Sequence, residues 1–191
     1  MITRLLTISL LVGVLLIYGC GAGFFKRQWE YEPVSIQTYT TDESLWKFDS
    51  RIVRVGRGVF DWSGEMVWNY DTSEETMVEA ATYRSFNGDE SEYKLLPFSI
   101  PRQTLYEYLN TYYKQAVVKN FGSCSNIPQF EGKFKPPLPK DTYIGRNCII
   151  DGEGLPEVMP SGFYKFIFNC SGPDQPTWSF VGVIKVTPKM F

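Results

Sequence analysis

The stretch from residue 58 to residue 70 limits what this chain can fold into more than any other. Phe60, Trp62, Met66, Trp68 and Tyr70 share one parity, and Asp61, Ser63, Glu65 and Asn69 share the other. Side chains of an extended backbone alternate between two faces. A period of two with one apolar parity therefore predicts half-buried β structure, here a strand pair with a turn or bulge at Ser63-Gly64. Val34, Ile36, Thr38 and Thr40 suggest an earlier strand, and residues 76–86 alternate less cleanly. Strands are also expected at about 143–150, at Phe163 to Cys170 and at Trp178 to Thr187. The last carries Trp178, Phe180, Ile184 and Val186 on one face, and Gly172, Pro173 and Pro176 punctuate the gap before it.

One segment breaks the β rule. Between residues 102 and 119, Leu105, Tyr108, Leu109, Tyr112, Ala116 and Val117 recur at helical spacing, and Thr104 with Glu107 has the form of a capping box. Many short strands with turn signals and a single amphipathic helix define an all-β class, a two-sheet sandwich or open barrel. There is no internal repeat and no low-complexity linker.

The N-terminus points to export. Arg4 is the only charge before Lys26, Leu5 to Tyr18 is almost wholly apolar, and Gly19, Cys20, Gly21, Ala22 and Gly23 follow. A short basic region, an apolar core and small residues make a secretory signal over residues 1–22, cleaved near Ala22. The apolar run is shorter than the roughly 20 residues that span a bilayer. The competing readings are an uncleaved anchor and a bacterial lipoprotein with residues 17–20 as its lipobox, which Tyr18 fits poorly. The expected mature unit is a single domain over residues 23–191, secreted and extracellular. Cleavage would remove one arginine and no acid, taking the formal net charge from −2 to −3. No basic block stands out, so no nucleic-acid partner is expected.

Cys124, Cys148 and Cys170 would remain after cleavage, an odd set that allows at most one internal bridge. Three pairings are open. If residues 143–150 and 162–170 form a hairpin, Cys148 lies opposite about residue 164 and not opposite Cys170, which favours Cys124–Cys148. Such a loop contributes roughly 3 kcal/mol in the chain-entropy model. Asn169-Cys170-Ser171 is an Asn-x-Ser glycosylation acceptor.

The chain has no histidine. That removes the Ser-His-Asp and Cys-His forms of nucleophile activation, the commonest proton shuttle near neutral pH, and most zinc sites. The cysteines are too far apart for a metal knuckle, and no phosphate-binding glycine loop is present, so neither a metal nor a cofactor is expected. Asp89, Glu90 and Glu92 sit in a Gly/Asn/Ser-rich turn and read as a solvated loop. The expectation is a protein that is not an enzyme. What the chain has in excess is aromatic side chains, with 14 Phe, 12 Tyr and 5 Trp. They fill a core or line a pocket, and the sequence alone leaves both open.

The C-terminal third carries a resemblance. Phe134-Lys135-Pro136-Pro137-Leu138-Pro139-Lys140-Asp141-Thr142-Tyr143 is followed by Leu155-Pro156-Glu157-Val158-Met159-Pro160-Ser161-Gly162-Phe163-Tyr164-Lys165. This resembles the ganglioside GM2 activator branch of the MD-2-related lipid-recognition (ML) proteins, in which a Cys-Pro-x-x-x-Gly-x-Tyr segment precedes a Leu-Pro-x-x-x-x-x-Gly-x-Tyr segment. Pro136 stands at the family's cysteine and Asp141 at its glycine. Arg57-Gly58-Val59-Phe60-Asp61-Trp62-Ser63-Gly64 and Tyr83-Arg84-Ser85 are similar to insect members of the branch, the CheA/CheB chemosensory proteins. The resemblance implies a two-sheet β cup with an apolar cavity, and a lipid or long-chain hydrocarbon as ligand, with a cuticular pheromone as one candidate and a membrane receptor or channel as a further partner. Pocket candidates are then Phe60, Trp62, Met66, Trp68, Tyr70, Phe166, Phe168, Trp178, Phe180 and Ile184, with Leu155, Pro156, Val158 and Met159 at the mouth. The alternative is an extracellular protein-interaction domain with a packed core and no lipid.

Overall fold

A computed structural model describes residues 28–150 and 156–189. The expected signal segment, residues 1–22, and Leu155 lie outside the described residues. In chain order the strands are β1 (Trp29–Thr40), β2 (Trp46–Gly56), β3 (Val59–Trp68), β4 (Met77–Ser85), β5 (Lys94–Thr104), β6 (Asp141–Ile149), β7 (Gly162–Ser171) and β8 (Trp178–Pro188). They form a five-stranded sheet, β1-β8-β7-β4-β5, and a three-stranded sheet, β2-β3-β6, with every pairing antiparallel. Helical turns follow β5: α1 (Leu105–Thr111), one π-helical turn (Lys114–Val118) and α2 (Lys119–Phe121). The all-β sandwich is therefore present. Among the described residues no helix is long and apolar enough to cross a membrane.

The alternation in residues 58–70 decides the sandwich. Trp62, Met66 and Trp68 of β3 pair with Ile52, Phe48 and Trp46 of β2, and with Cys148, Tyr143 and Asp141 of β6, so one face of the small sheet is largely apolar. β3 is one continuous strand and not a strand pair. The irregularity expected at Ser63-Gly64 is the level at which β6 carries an extra residue, with Asn147 at a φ of 52°. On the large sheet, Trp178, Phe180, Ile184 and Val186 share a face with their β7 partners Cys170, Phe168, Tyr164 and Gly162.

The two faces meet through rings. Trp46 stacks on Trp178 at 4.3 Å and 5°, Trp68 meets Trp178 edge-on at 5.8 Å, Phe48 meets Phe180 at 5.7 Å, and Tyr31 lies 6.0 Å from Phe60. Offset-stacked and edge-to-face pairs match the ring quadrupoles and add to the area that each ring buries.

Three expectations are corrected. β2 and β5 escaped the sequence reading, because β2 mixes Val53 and Val55 into its outer parity and β5 contains Pro97 and Pro101. Proline cannot donate to a ladder and is tolerated in β5 because that strand is an edge. The helix does not begin at residue 102: residues 102–104 finish β5, and Thr104 caps α1. Its buried face is Leu105, Tyr108, Leu109 and Tyr113 instead of Tyr112 and Ala116, and the wider π turn that follows departs from the 3.6-residue period. The supposed hairpin of 143–150 with 162–170 does not exist, since β6 and β7 belong to different sheets. The bridge drawn from that premise is nonetheless present: Cys124 and Cys148 are joined, with Cα atoms 5.4 Å apart, tying the end of the helical segment to β6.

Candidate functional site

Two buried clusters divide the interior. The larger holds Trp46, Trp68, Tyr70, Trp178 and Tyr143 with the helical side chains Leu105, Tyr108, Leu109 and Tyr113. The smaller, at the opposite end of the sheets, holds Trp29, Tyr31, Tyr164 and Val186. The inner-face residues Phe48, Trp62, Phe166 and Phe180 are half-buried, Phe48 packed against the larger cluster and Phe166 against the smaller. Phe48 joins the two sheets here through its contact with Phe180 at 5.7 Å.

The ten pocket candidates separate on this map. Trp68, Tyr70 and Trp178 are buried in the larger cluster, 4%, 4% and 7% exposed. Met66 and Phe168 pack against it, and Phe60, Phe166 and Ile184 against the smaller cluster. Trp62 and Phe180 lie in the intervening stretch. Trp62 is held by Phe48 at 6.0 Å and by Phe121 of α2 at 4.9 Å. Its ring lies across Gly64 and Gly145, where a Cβ would come within 2.7 and 2.3 Å of ring carbons, so the glycine at 145 is what lets the indole lie flat on the sheet. Phe48 and Phe121 were absent from the sequence candidates. Phe48 sits on the unrecognised β2, and Phe121 lies beyond the expected helix end.

The described part of the expected mouth lies in a strapped segment, residues 156–161. Three side chains of the large sheet donate to its backbone carbonyls and a fourth donates to that of Ile150. Trp29 Nε1 reaches Pro156 O at 2.9 Å, Tyr164 Oη reaches Pro160 O at 2.7 Å, Arg84 Nη2 reaches Ser161 O at 2.6 Å, and Tyr31 Oη bonds Ile150 O. Of the mouth candidates, Met159 packs into the smaller cluster, Pro156 takes the tryptophan bond, and Val158 projects outward, 70% exposed. Two concavities of about 330 Å³ each are present, one beside Lys114, Val118, Gln129, Phe130 and Glu131, the other along Thr38 to Thr40 and Trp46 to Asp49 with Phe48 in its wall. None of the ten pocket candidates lines either.

Trp178 Nε1 donates to Tyr70 Oη at 2.9 Å, and Tyr70 Oη lies 3.8 Å from Cys170 Sγ. Burial raises the Cys170 thiol from 9.0 to about 12 and pushes the Tyr70 hydroxyl up as well, so both stay protonated. Burial likewise raises Tyr164, with the nearby Arg84 charge working against it. Asn169 lies on the outer face of β7, half-buried, its Nδ2 3.4 Å from Glu79 Oε1. Among the described residues no three His, Cys, Asp or Glu side chains are gathered to hold a metal.

Part of the chain has a counterpart among known sequences. A family model described as a protein of unknown function (DUF1091) matches residues 78–166, a span that runs from β4 through the helical turns, the disulfide and β6 into β7. No curated protein matches the chain.

Proposed function

We propose that this protein is a secreted, non-enzymatic carrier or presenter of a lipid or long-chain hydrocarbon, held between the two sheets as in the ML proteins that the C-terminal motif resembles. A pheromone in contact chemosensation is the particular role that the insect resemblance favours. The observation that carries the reading is the run of inward rings Phe48, Trp62, Phe166 and Phe180, which stay half-buried while the rings of the two clusters are buried. Half-buried apolar rings gain free energy when an apolar guest displaces the water against them. Each buried CH₂ contributes about 0.8 kcal/mol, so an 18-carbon chain supplies roughly 14 kcal/mol. Association costs about 4–15 kcal/mol, and micromolar affinity follows. The disulfide and the signal-like N-terminus support export. The missing histidine supports a binding role over catalysis.

Native mass spectrometry of the protein purified from culture medium is the test. Copurified lipid, or saturable uptake of fatty acids, long hydrocarbons or sphingolipids, is the expected result. A clean mass with no saturable uptake would overturn the reading.

A second reading is favoured by Phe86, Leu95, Phe98 and Val158, 82%, 63%, 58% and 70% exposed, around the β4–β5 connection and the strapped segment. Exposed apolar groups of this kind suit contact with a partner such as a membrane receptor or channel. A tight protein partner captured by the lipid-free chain would favour that reading.

A further inference from the structure

Arg84 is out of place. On β4 it pairs with Tyr164 of β7, whose own partner on β8 is Ile184. Its parity is that of Val78, Ala80 and Thr82, the face that looks between the sheets. An arginine there is half-buried, with its Nε shielded from solvent and making no hydrogen bond. The ion pairs among the described residues are Lys47–Asp49, Lys140–Asp71 and Lys165–Glu90, and none involves Arg84. Its one bond is from Nη2 to the Ser161 carbonyl. A guanidinium has five donors and stays charged throughout the physiological range. Placing it in an interior without a counter-charge is costly unless an anion arrives to meet it.

Its position fits that need. Nε sits 3.3 Å from where a Cβ on Gly162 would be, and that same Cβ would lie 2.6 Å from the Ser85 carbonyl oxygen at a φ of +143°. Only glycine is comfortable there, and its missing side chain lets the arginine run along the start of β7 toward the end of the sandwich. The guanidinium is thus beside the strapped segment, while Phe166, Phe180 and Trp62 lie deeper between the sheets.

We infer that Arg84 is a headgroup site: the ligand is a long-chain amphiphile with an anionic head, a carboxylate or a phosphate, that pairs with the guanidinium while its chain lies along the half-buried rings. This rests on the lipid-carrying reading and adds the polarity and direction of the ligand. The planar fork matches two oxygens of either head. A neutral hydrocarbon or alcohol of equal length would make the apolar contacts and lack the ionic one.

The test compares four probes of one chain length, palmitic acid, hexadecyl phosphate, hexadecanol and hexadecane, on the purified full chain, on Arg84→Gln and on Arg84→Lys, with thermal stability measured beside each. The wild-type protein is expected to bind the acid or the phosphate roughly tenfold or more tightly than the alcohol, the range of a hydrogen bond to a charged group. Arg84→Gln should abolish that preference while leaving hexadecane and hexadecanol unchanged, and Arg84→Lys should keep part of it. Which of the two anions binds more tightly identifies the head. Equal binding of acid, phosphate and alcohol by the wild type, or a preference that survives Arg84→Gln, overturns the headgroup site and leaves the lipid-carrying reading standing. Saturable binding of none of the four overturns both. An Arg84→Gln protein that loses hexadecane binding together with the acid makes Arg84 a tie for the strapped segment only, which also overturns the inference.

Discussion

Trp62 lies flat because the β6 residue beneath it has no side chain. A Cβ at Gly145 would come 2.3 Å from Trp62 Cζ3, on a strand whose backbone is fixed by pairing with β3. Gly145→Ala should therefore lift the indole and cost about 1–3 kcal/mol, the usual range for overpacking. Urea denaturation followed by tryptophan fluorescence measures it. Cys170 makes a second residue-scale prediction. Burial raises its thiol from 9.0 to about 12, and raises the Tyr108 and Tyr143 hydroxyls from 10.0 to about 12. In each case the unfolded chain releases its proton first, so the stabilisation is complete below pH 9 and is lost as pH rises from 9 toward 12. Denaturation midpoints should fall across that window, and Cys170→Ala should flatten the part that begins near pH 9. The sequence leaned to Cys170 as the leftover cysteine and left three pairings open. That it is buried against Tyr70 needed the fold, because residues 70 and 170 meet only through packing.

α1 is seven residues long and gives way to a π-helical turn, so its start matters. Glu107 N donates to Thr104 Oγ1 and Thr104 N donates to Glu107 Oε2, each at 3.1 Å, satisfying two orphan donors. Thr104→Ala should destabilise the protein by about 1 kcal/mol, read as a shifted urea midpoint at unchanged slope. This cap was readable in advance from four residues of sequence, as capping is local chemistry. The inner face of the helical segment was not. Tyr113 is buried and Tyr112 is exposed; both continue the 3.6-residue stripe of Leu105 and Leu109, and only what packs against the helix chooses between them. The strand faces of β3 and β8 were readable because each has one apolar parity. β2 and β5 hid because one carries apolar residues on both faces and the other carries two prolines.

At the scale of the molecule, the rings at one end of the sandwich are buried and those in the middle are half-buried. Trp178 is central to the buried end, in contact with Trp46, Trp68 and Phe168. Trp178→Ala should cost about 3–5 kcal/mol, the range for truncating a well-packed large aromatic. Phe166→Ala, on the half-buried stretch, should cost distinctly less, because part of its ring already lacks protein neighbours. Paired urea titrations compare the two, and equal losses would mean that the middle is packed as tightly as the end. The four side chains that donate to the carbonyls of Ile150, Pro156, Pro160 and Ser161 belong to this scale too. Trp29, Tyr31, Arg84 and Tyr164 come from three strands, β1, β4 and β7, and converge only because those strands share a sheet.

By itself the sequence determined what depends on neighbours along the chain: the alternation of β3 and β8, the Thr104–Glu107 cap, and the lack of histidine that removes the commonest catalytic chemistry. Each is a matter of backbone period, local hydrogen bonding or side-chain inventory. The tertiary structure alone decided which aromatics are buried and which are half-buried, since Trp68 and Trp62 have the same parity on the same strand and differ only in what stands opposite. It also decided the true reason for the Cys124–Cys148 bridge, which joins the helical segment to β6 and owes nothing to a hairpin with β7. And it placed Arg84 on an inner face, a position that a three-residue stretch of sequence cannot reveal because parity acquires a direction only once the sheet has a partner.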